Sequence, residues 1–254
     1  MNIKESFLSN KKRAVTAITL LSVVFIIATI DNIFLTWAFL GLAYLFAFYE
    51  SMELFRNKNN ALFVYAVAIW LTALIYPNPD DIGYIVIIIA LSAMVYKKEV
   101  NLPLLAPFAY PTISMLFLYT LYLDFGMMSL VWLVVIVALT DTGAYIIGKS
   151  IGKTPFSKTS PNKTWEGVLG GVATATVFGT LFGLSSVELS TSFIISLLVS
   201  VSSVYGDLFE SYLKREAGVK DSGTLFPGHG GMLDRIDGYL FASVIMVILL
   251  RGLL

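Results

Sequence analysis

Cysteine is absent from the 254 residues, so neither a disulfide framework nor a thiolate-bound metal centre can form. Histidine occurs once, at His229, which removes the imidazole clusters that hold zinc. Charge is scarce as well: Asp, Glu, Lys and Arg make up 13% of the chain, against 57% apolar residues. Soluble domains carry about 25% charged residues, and a chain this short cannot bury so much apolar surface within itself. The composition is that of a membrane protein. Its formal net charge is zero, and no nucleic acid is expected as a partner.

A spanning helix needs about 20 mainly apolar residues. Nine candidate segments meet or approach that length, near 14–30, 33–49, 61–76, 82–96, 102–122, 129–148, 166–184, 191–210 and 236–254. The first follows Lys11, Lys12 and Arg13 as a signal peptide would, but it reads as a retained helix because no small-residue cleavage site precedes the next segment. Sixteen of the 17 basic residues fall at the N-terminus or in alternate loops, and the intervening loops hold only Asp31, Asp80, Asp81, Asp124 and Glu188. The positive-inside rule assigns the basic face to the cytoplasm. Arg251 is the exception. An all-α, polytopic bundle of about nine transmembrane helices is expected, an integral membrane protein of a bacterial cytoplasmic membrane with its polar site on the cytoplasmic side.

The chain divides into N-terminal helices, 1–128, whose segments carry no sign of chemistry, and a C-terminal region, 129–254, with polar loops. Pro103, Pro107 and Pro111 are expected to bend the fifth segment or line a cavity. In the seventh, Gly167, Gly171, Ala175, Gly179 and Gly183 put a small residue on one face every fourth position, a pattern for close helix packing in lipid. The eighth is expected to continue as helix to about Glu216, aligning Asp207, Glu210, Ser211 and Lys214 on one face. Asp207 ends an apolar run, where an ionised side chain is expensive unless paired or metal-bound.

Two pattern matches are misleading. Residues 143–150, GAYIIGKS, fit a Walker A expression but lie inside the sixth apolar segment, without the strand that a phosphate loop follows. Asp141-Thr142-Gly143 resembles an aspartic protease motif without a second copy. Asp141 itself is an acid about twelve residues into a spanning segment, a functional candidate on that ground alone. The loop after it carries Lys149, Lys153, Lys158 and Lys163 and turns through SPNKTWEG into the seventh segment, where backbone N–H groups suit phosphate.

Residues 211–237, SYLKREAGVKDSGTLFPGHGGMLDRID, form the long polar stretch of the second half. Asp221, Asp234 and Asp237 join Asp207 there, beside Lys214, Arg215, Lys220 and Arg235. Hard cations such as Mg2+ take carboxylate and phosphate oxygens, and neighbouring cations suit a polyphosphate. His229 is open to three readings: proton carrier, phosphate donor or structural hydrogen-bonding group.

At this spacing Ser211, Leu213, Lys214, Arg215, Lys220, Asp221, Gly223, Phe226, Pro227, His229, Gly230, Gly231, Met232, Asp234, Arg235, Ile236 and Asp237 resemble the phosphatidate cytidylyltransferase (CDP-diacylglycerol synthase) family. The segments DTGAY (141–145) and SPNKTWEG (160–167) are similar to that family's as well, so the resemblance covers residues 138 to 254. It implies transfer of CMP from CTP to phosphatidate within the lipid bilayer, giving CDP-diacylglycerol and pyrophosphate. Mg2+, a second monovalent cation such as K+ and a homodimer are implied with it. Catalytic roles then fall to Asp207, Asp234, Asp237 and Lys214, the three aspartates as metal ligands. Asp141, Lys163, Glu166, Ser211, Arg215, Lys220, Asp221, His229 and Arg235 are the candidate substrate-binding residues. A CTP-dependent lipid kinase would need similar groups. An ion-coupled transporter fits less well, since the charges gather on one side and no inverted repeat is visible.

Overall fold

The computed structural model describes residues 18–226 and 230–254; the basic N-terminal cluster and His229 lie outside the described residues. Nine α-helices stand among them: α1 (Ile18–Ile30), α2 (Ile33–Leu54), α3 (Ala61–Ile75), α4 (Pro79–Lys97), α5 (Ile113–Phe125), α6 (Met127–Ile151), α7 (Trp165–Gly183), α8 (Leu189–Ala217) and α9 (Leu233–Leu253). No strand occurs among the described residues beyond two isolated bridges, Pro155 with Thr164 and Phe226 with Gly230. The expected all-α membrane bundle is therefore the observed one. Among the described residues seven spans are long and apolar enough to cross a membrane; the described part of α1 and the 15-residue α3 are shorter.

Local chemistry sets the helix limits. Asn32 accepts from the backbone N–H groups of Phe34 and Leu35 and so caps α2. Pro79 stands in the first turn of α4, where its missing N–H costs nothing. The prolines of the fifth segment do break it: a 3-10 turn at Leu102–Leu104 and a π-type turn at Phe108–Thr112, with Pro111 inside it, precede α5. Thr112 donates to the Pro107 carbonyl at 3.0 Å, satisfying one of the groups the break leaves over.

The small-residue stripe of α7 is buried from Gly167 to Gly183. A Cβ on Gly171 would collide with the Thr140 carbonyl and Ala144 of α6, and one on Gly179 with Ile136 of α6 and Ser196 of α8. Trp132 of α6 seals this contact by donating Nε1–H to the Gly179 carbonyl at 2.8 Å. The stripe thus joins α6, α7 and α8. Helices on either side of residue 128 also touch, α5 against α9 and α2 against both α8 and α9.

Acids from three of the Lys-free loops are engaged at one end of the bundle. Tyr122 donates to Asp31 at 3.0 Å, and Arg251 pairs with Asp80 at 2.6 Å and with Asp124 at 2.9 Å. Arg251 breaks the charge pattern because two carboxylates on its own side neutralise it. α8, at 1.5 Å per residue, is about 43 Å long and outruns the roughly 30 Å hydrocarbon core. Asp207 is its nineteenth residue, so it falls near the opposite membrane boundary. The charge pattern predicts that single cysteines, placed on the cysteine-free chain in intact cells, will react with an impermeant thiol reagent at exposed position 81 and stay unlabelled at exposed position 158. Reversed labelling would overturn the orientation.

Candidate active site

Lys163 is presented by a stapled loop between α6 and α7. Thr164 caps α7 by accepting from Gly167 N–H at 3.2 Å. Glu166, in the first turn, reaches back to accept from the backbone N–H groups of Lys153 and Thr154 at 3.1 and 3.2 Å and from the Thr154 hydroxyl at 2.8 Å. The Phe156 N–H donates to the Lys163 carbonyl at 2.8 Å. With the loop pinned at both ends, the Lys163 ammonium makes an ion pair with Asp207 of α8. Both side chains keep about a quarter of their surface open, 26% and 28%. A ligand can therefore reach them.

Asp207 also accepts from Ser211 one turn on, at 3.3 Å. The preceding residue, Gly206, lies against the backbone of Asp237 and Gly238 in α9, and Gly238 in turn lies against Ser203. Glycines at this crossing let α8 and α9 approach closely enough to put Asp207 and Asp237 at one level. Asp141 of α6 belongs to the same neighbourhood, since it interacts electrostatically with Asp207, Lys163 and Arg235. Asp237 interacts with Asp207, Glu210 and Asp141. Four carboxylates, Asp141, Asp207, Glu210 and Asp237, thus share one end of the bundle, with Lys163 and Arg235 close by.

A second group holds the polar loop. Lys214 of α8 lies between Glu210 at 2.5 Å and Asp234 of α9 at 2.6 Å, with side-chain exposures of only 11%, 0% and 6% respectively. The other oxygen of Asp234 accepts from the N–H and hydroxyl of Ser222 and from Gly231 N–H, each at 2.8 Å. From α2, buried Glu50 accepts from Met232 N–H and Leu233 N–H at 2.8 Å and from the Ser222 hydroxyl at 3.1 Å. Arg215 donates to the carbonyl of Val219, just beyond the end of α8, at 2.9 Å. Lys220 and Asp221 are exposed on the loop.

The structure therefore sorts the sequence-derived residues. Asp141, Lys163, Asp207, Ser211, Arg235 and Asp237 come together. Glu166, Lys214 and Asp234 are nearby but engaged: Glu166 binds the loop backbone, Lys214 two acids, and Asp234 three donor groups besides Lys214. Among the described residues no three acids are grouped so that they could hold a metal ion. The Walker-like residues 143–150 lie wholly within α6, which excludes a phosphate loop there. Two buried acids escaped notice as site residues. Glu50 lies just beyond the 33–49 segment, followed by Ser51 and Glu53, so it reads from sequence as the polar end of a helix. Glu210 reads from sequence as part of the polar face it shares with Lys214, but its side chain is fully buried.

The chain has clear sequence counterparts among known proteins. The cytidylyltransferase family model matches residues 11–253. The phosphatidate cytidylyltransferase of Helicobacter pylori strain J99 is 40% identical over 253 residues, covering 98% of this chain and 94% of its own. The Bacillus subtilis phosphatidate cytidylyltransferase is 44% identical over 132 residues, 50% of this chain and 49% of its own. Phosphatidate cytidylyltransferase 4, chloroplastic, from Arabidopsis thaliana is 45% identical over 112 residues, 43% of this chain and 29% of its own. A match extending over nearly every residue, with a polar site at one end of an apolar bundle, means that the chain belongs to the cytidylyltransferase family.

Proposed function

We propose that this integral membrane protein is a phosphatidate cytidylyltransferase, joining CTP and phosphatidate into CDP-diacylglycerol and pyrophosphate. The observation that carries the reading is the 40% identity, over 98% of the chain, to a relative of that name. The chemistry suits the site. A phosphatidate phosphate oxygen forms the new bond to the α-phosphorus of CTP while the bond from that phosphorus to the bridging oxygen breaks and pyrophosphate leaves. The acceptor is already an anion, so no strong general base is required. Bringing two anions together and neutralising the charge on the leaving group is the larger task, one that cations perform.

Lys163 and Arg235, near the carboxylate group, would bind phosphate oxygens once substrate enters; Arg215 and Lys220 would add positive charge at the rim. Asp207 and Asp237 offer the hard carboxylate oxygens that a divalent ion takes, and substrate phosphates would supply further ligands. Asp207 and Asp237, with Asp141 beside them, would hold Mg2+, whose usual binding through one or two carboxylates leaves positions for substrate phosphates and water. Bound there, Mg2+ would screen the polyphosphate charge and stabilise departing pyrophosphate. Asp234 is the least available ligand, since it would have to release Lys214 or the loop amides. Lys214 then acts by holding Glu210 and Asp234. A homodimer in the cytoplasmic membrane, an accessory monovalent cation such as K+ and a site opening to the cytoplasm complete the proposal.

Asp207→Asn and Asp237→Asn remove charge at constant size, and each is expected to lower kcat about a hundredfold. Glu188→Gln, at the far end of α8, is expected to leave kcat unchanged. Wild-type turnover in a well-folded Asp237→Asn protein would contradict the assignment. The reaction itself is tested by label position. With phosphatidate and Mg2+, CTP labelled at the α-phosphorus is expected to transfer label to lipid, and γ-labelled CTP to release it as pyrophosphate. Lipid labelled only from the γ position would make the protein a kinase.

A further inference from the structure

The glycines of the polar loop invite a reading as an anion cradle for substrate phosphate, but the protein fills part of that cradle itself. A Cβ on Gly223 would approach Glu50 Oε1 to 2.5 Å, and one on Gly231 would collide with both Glu50 oxygens. Those glycines are needed for the approach of an internal carboxylate. Glu50 is 5% exposed and comes from α2, about 170 residues earlier in the chain. Its two oxygens take the first N–H groups of α9, from Met232 and Leu233, where the helix dipole favours negative charge. Glu50 thus caps α9 from another helix.

We propose that Glu50 is a positioning residue of the transferase reaction, anchoring the start of α9 so that Asp237 stands level with Asp207. The proposal rests on the cytidylyltransferase reading of the site. The connection is short: Asp237 lies one turn beyond Leu233, and its backbone packs on Gly206, the neighbour of Asp207. The same anchor fixes Ser222, whose hydroxyl hydrogen serves either Glu50 or Asp234, and Gly231, which donates to Asp234. Loss of Glu50 would therefore let α9 shift at its first turn. Misplacing a reacting geometry by about 1 Å can cost a hundredfold in rate.

Glu50→Gln keeps the shape but turns an amide NH2 toward a backbone N–H. Measured in the full-length protein, well below its melting temperature and per folded molecule, kcat is expected to fall about ten- to a hundredfold, while KM for CTP stays near the wild-type value. Hydrogen exchange is expected to rise at 222–226 and 230–234 and to remain unchanged where α6 packs on α7. Glu53→Gln, exposed on the same helix, is the control expected to match wild type in both. A purely stabilising Glu50 would alter exchange and melting but leave kcat per folded molecule intact, and that result would overturn the proposal. So would a lower kcat with wild-type exchange in the loop. If Glu50→Gln fails to fold, Ser222→Ala carries the test: a severalfold lower kcat with faster exchange at 230–234 supports the proposal, and wild-type kcat overturns it. An inactive wild-type protein would instead refute the parent reading, and this proposal with it.

Discussion

Backbone N–H groups that are buried away from water must find their hydrogen-bond partners inside the protein. In this chain two acids supply them. Glu50 and Asp234 accept from Ser222, Gly231, Met232 and Leu233, closing the polar loop onto the first turn of α9. A hydrogen bond to a charged group contributes about 1.5–3 kcal/mol, and removing one partner of a buried ion pair costs about 3–5 kcal/mol. Lys214 depends on this arrangement, since Asp234 is one of its two partners. So does the level of Asp237.

The other half of the site is held by packing. Glycines of α7 bring its backbone against α6, which fixes where the loop carrying Lys163 leaves and returns. Glu166 then staples that loop, and Lys163 meets Asp207. A carboxylate-rich centre with cations at its edge is what a reaction between two polyanions needs: sites for a metal inside, phosphate ligands outside. Its place near the end of α8 is equally consequential. A site at a membrane boundary is where a lipid and a water-soluble nucleotide could meet without either crossing the bilayer.

Much of this was legible in the sequence because membrane physics leaves few alternatives. Apolar segments, the alternation of Lys and Arg among loops, and the small-residue stripe of α7 each follow from one dominant force. The extension of α8 could also be read, from the polar face continuing beyond Asp207, and the helix ends at Ala217. What could not be read was which polar residues meet. Lys214, Asp234 and Glu166 read from sequence as catalytic or substrate-binding groups, and the protein partner each one has is set by three-dimensional proximity. Glu50 was hidden for the same reason: its partners lie about 170–180 residues away, and no local pattern encodes that distance. Glu210 escaped because helical spacing cannot tell a surface ion pair from a buried one.

Asp207 and Asp237, brought level by the α8–α9 crossing, are proposed to hold the divalent ion that accompanies CTP. Mn2+ provides a direct reading, since its electron paramagnetic resonance signal distinguishes bound from free ion without any turnover. Titrating purified protein and CTP with Mn2+ is expected to give a protein-dependent bound component that weakens at least tenfold in both Asp207→Asn and Asp237→Asn, and is unchanged in Asp124→Asn at the opposite end of the bundle. Equal Mn2+ affinity in wild type and in both site variants would contradict the account.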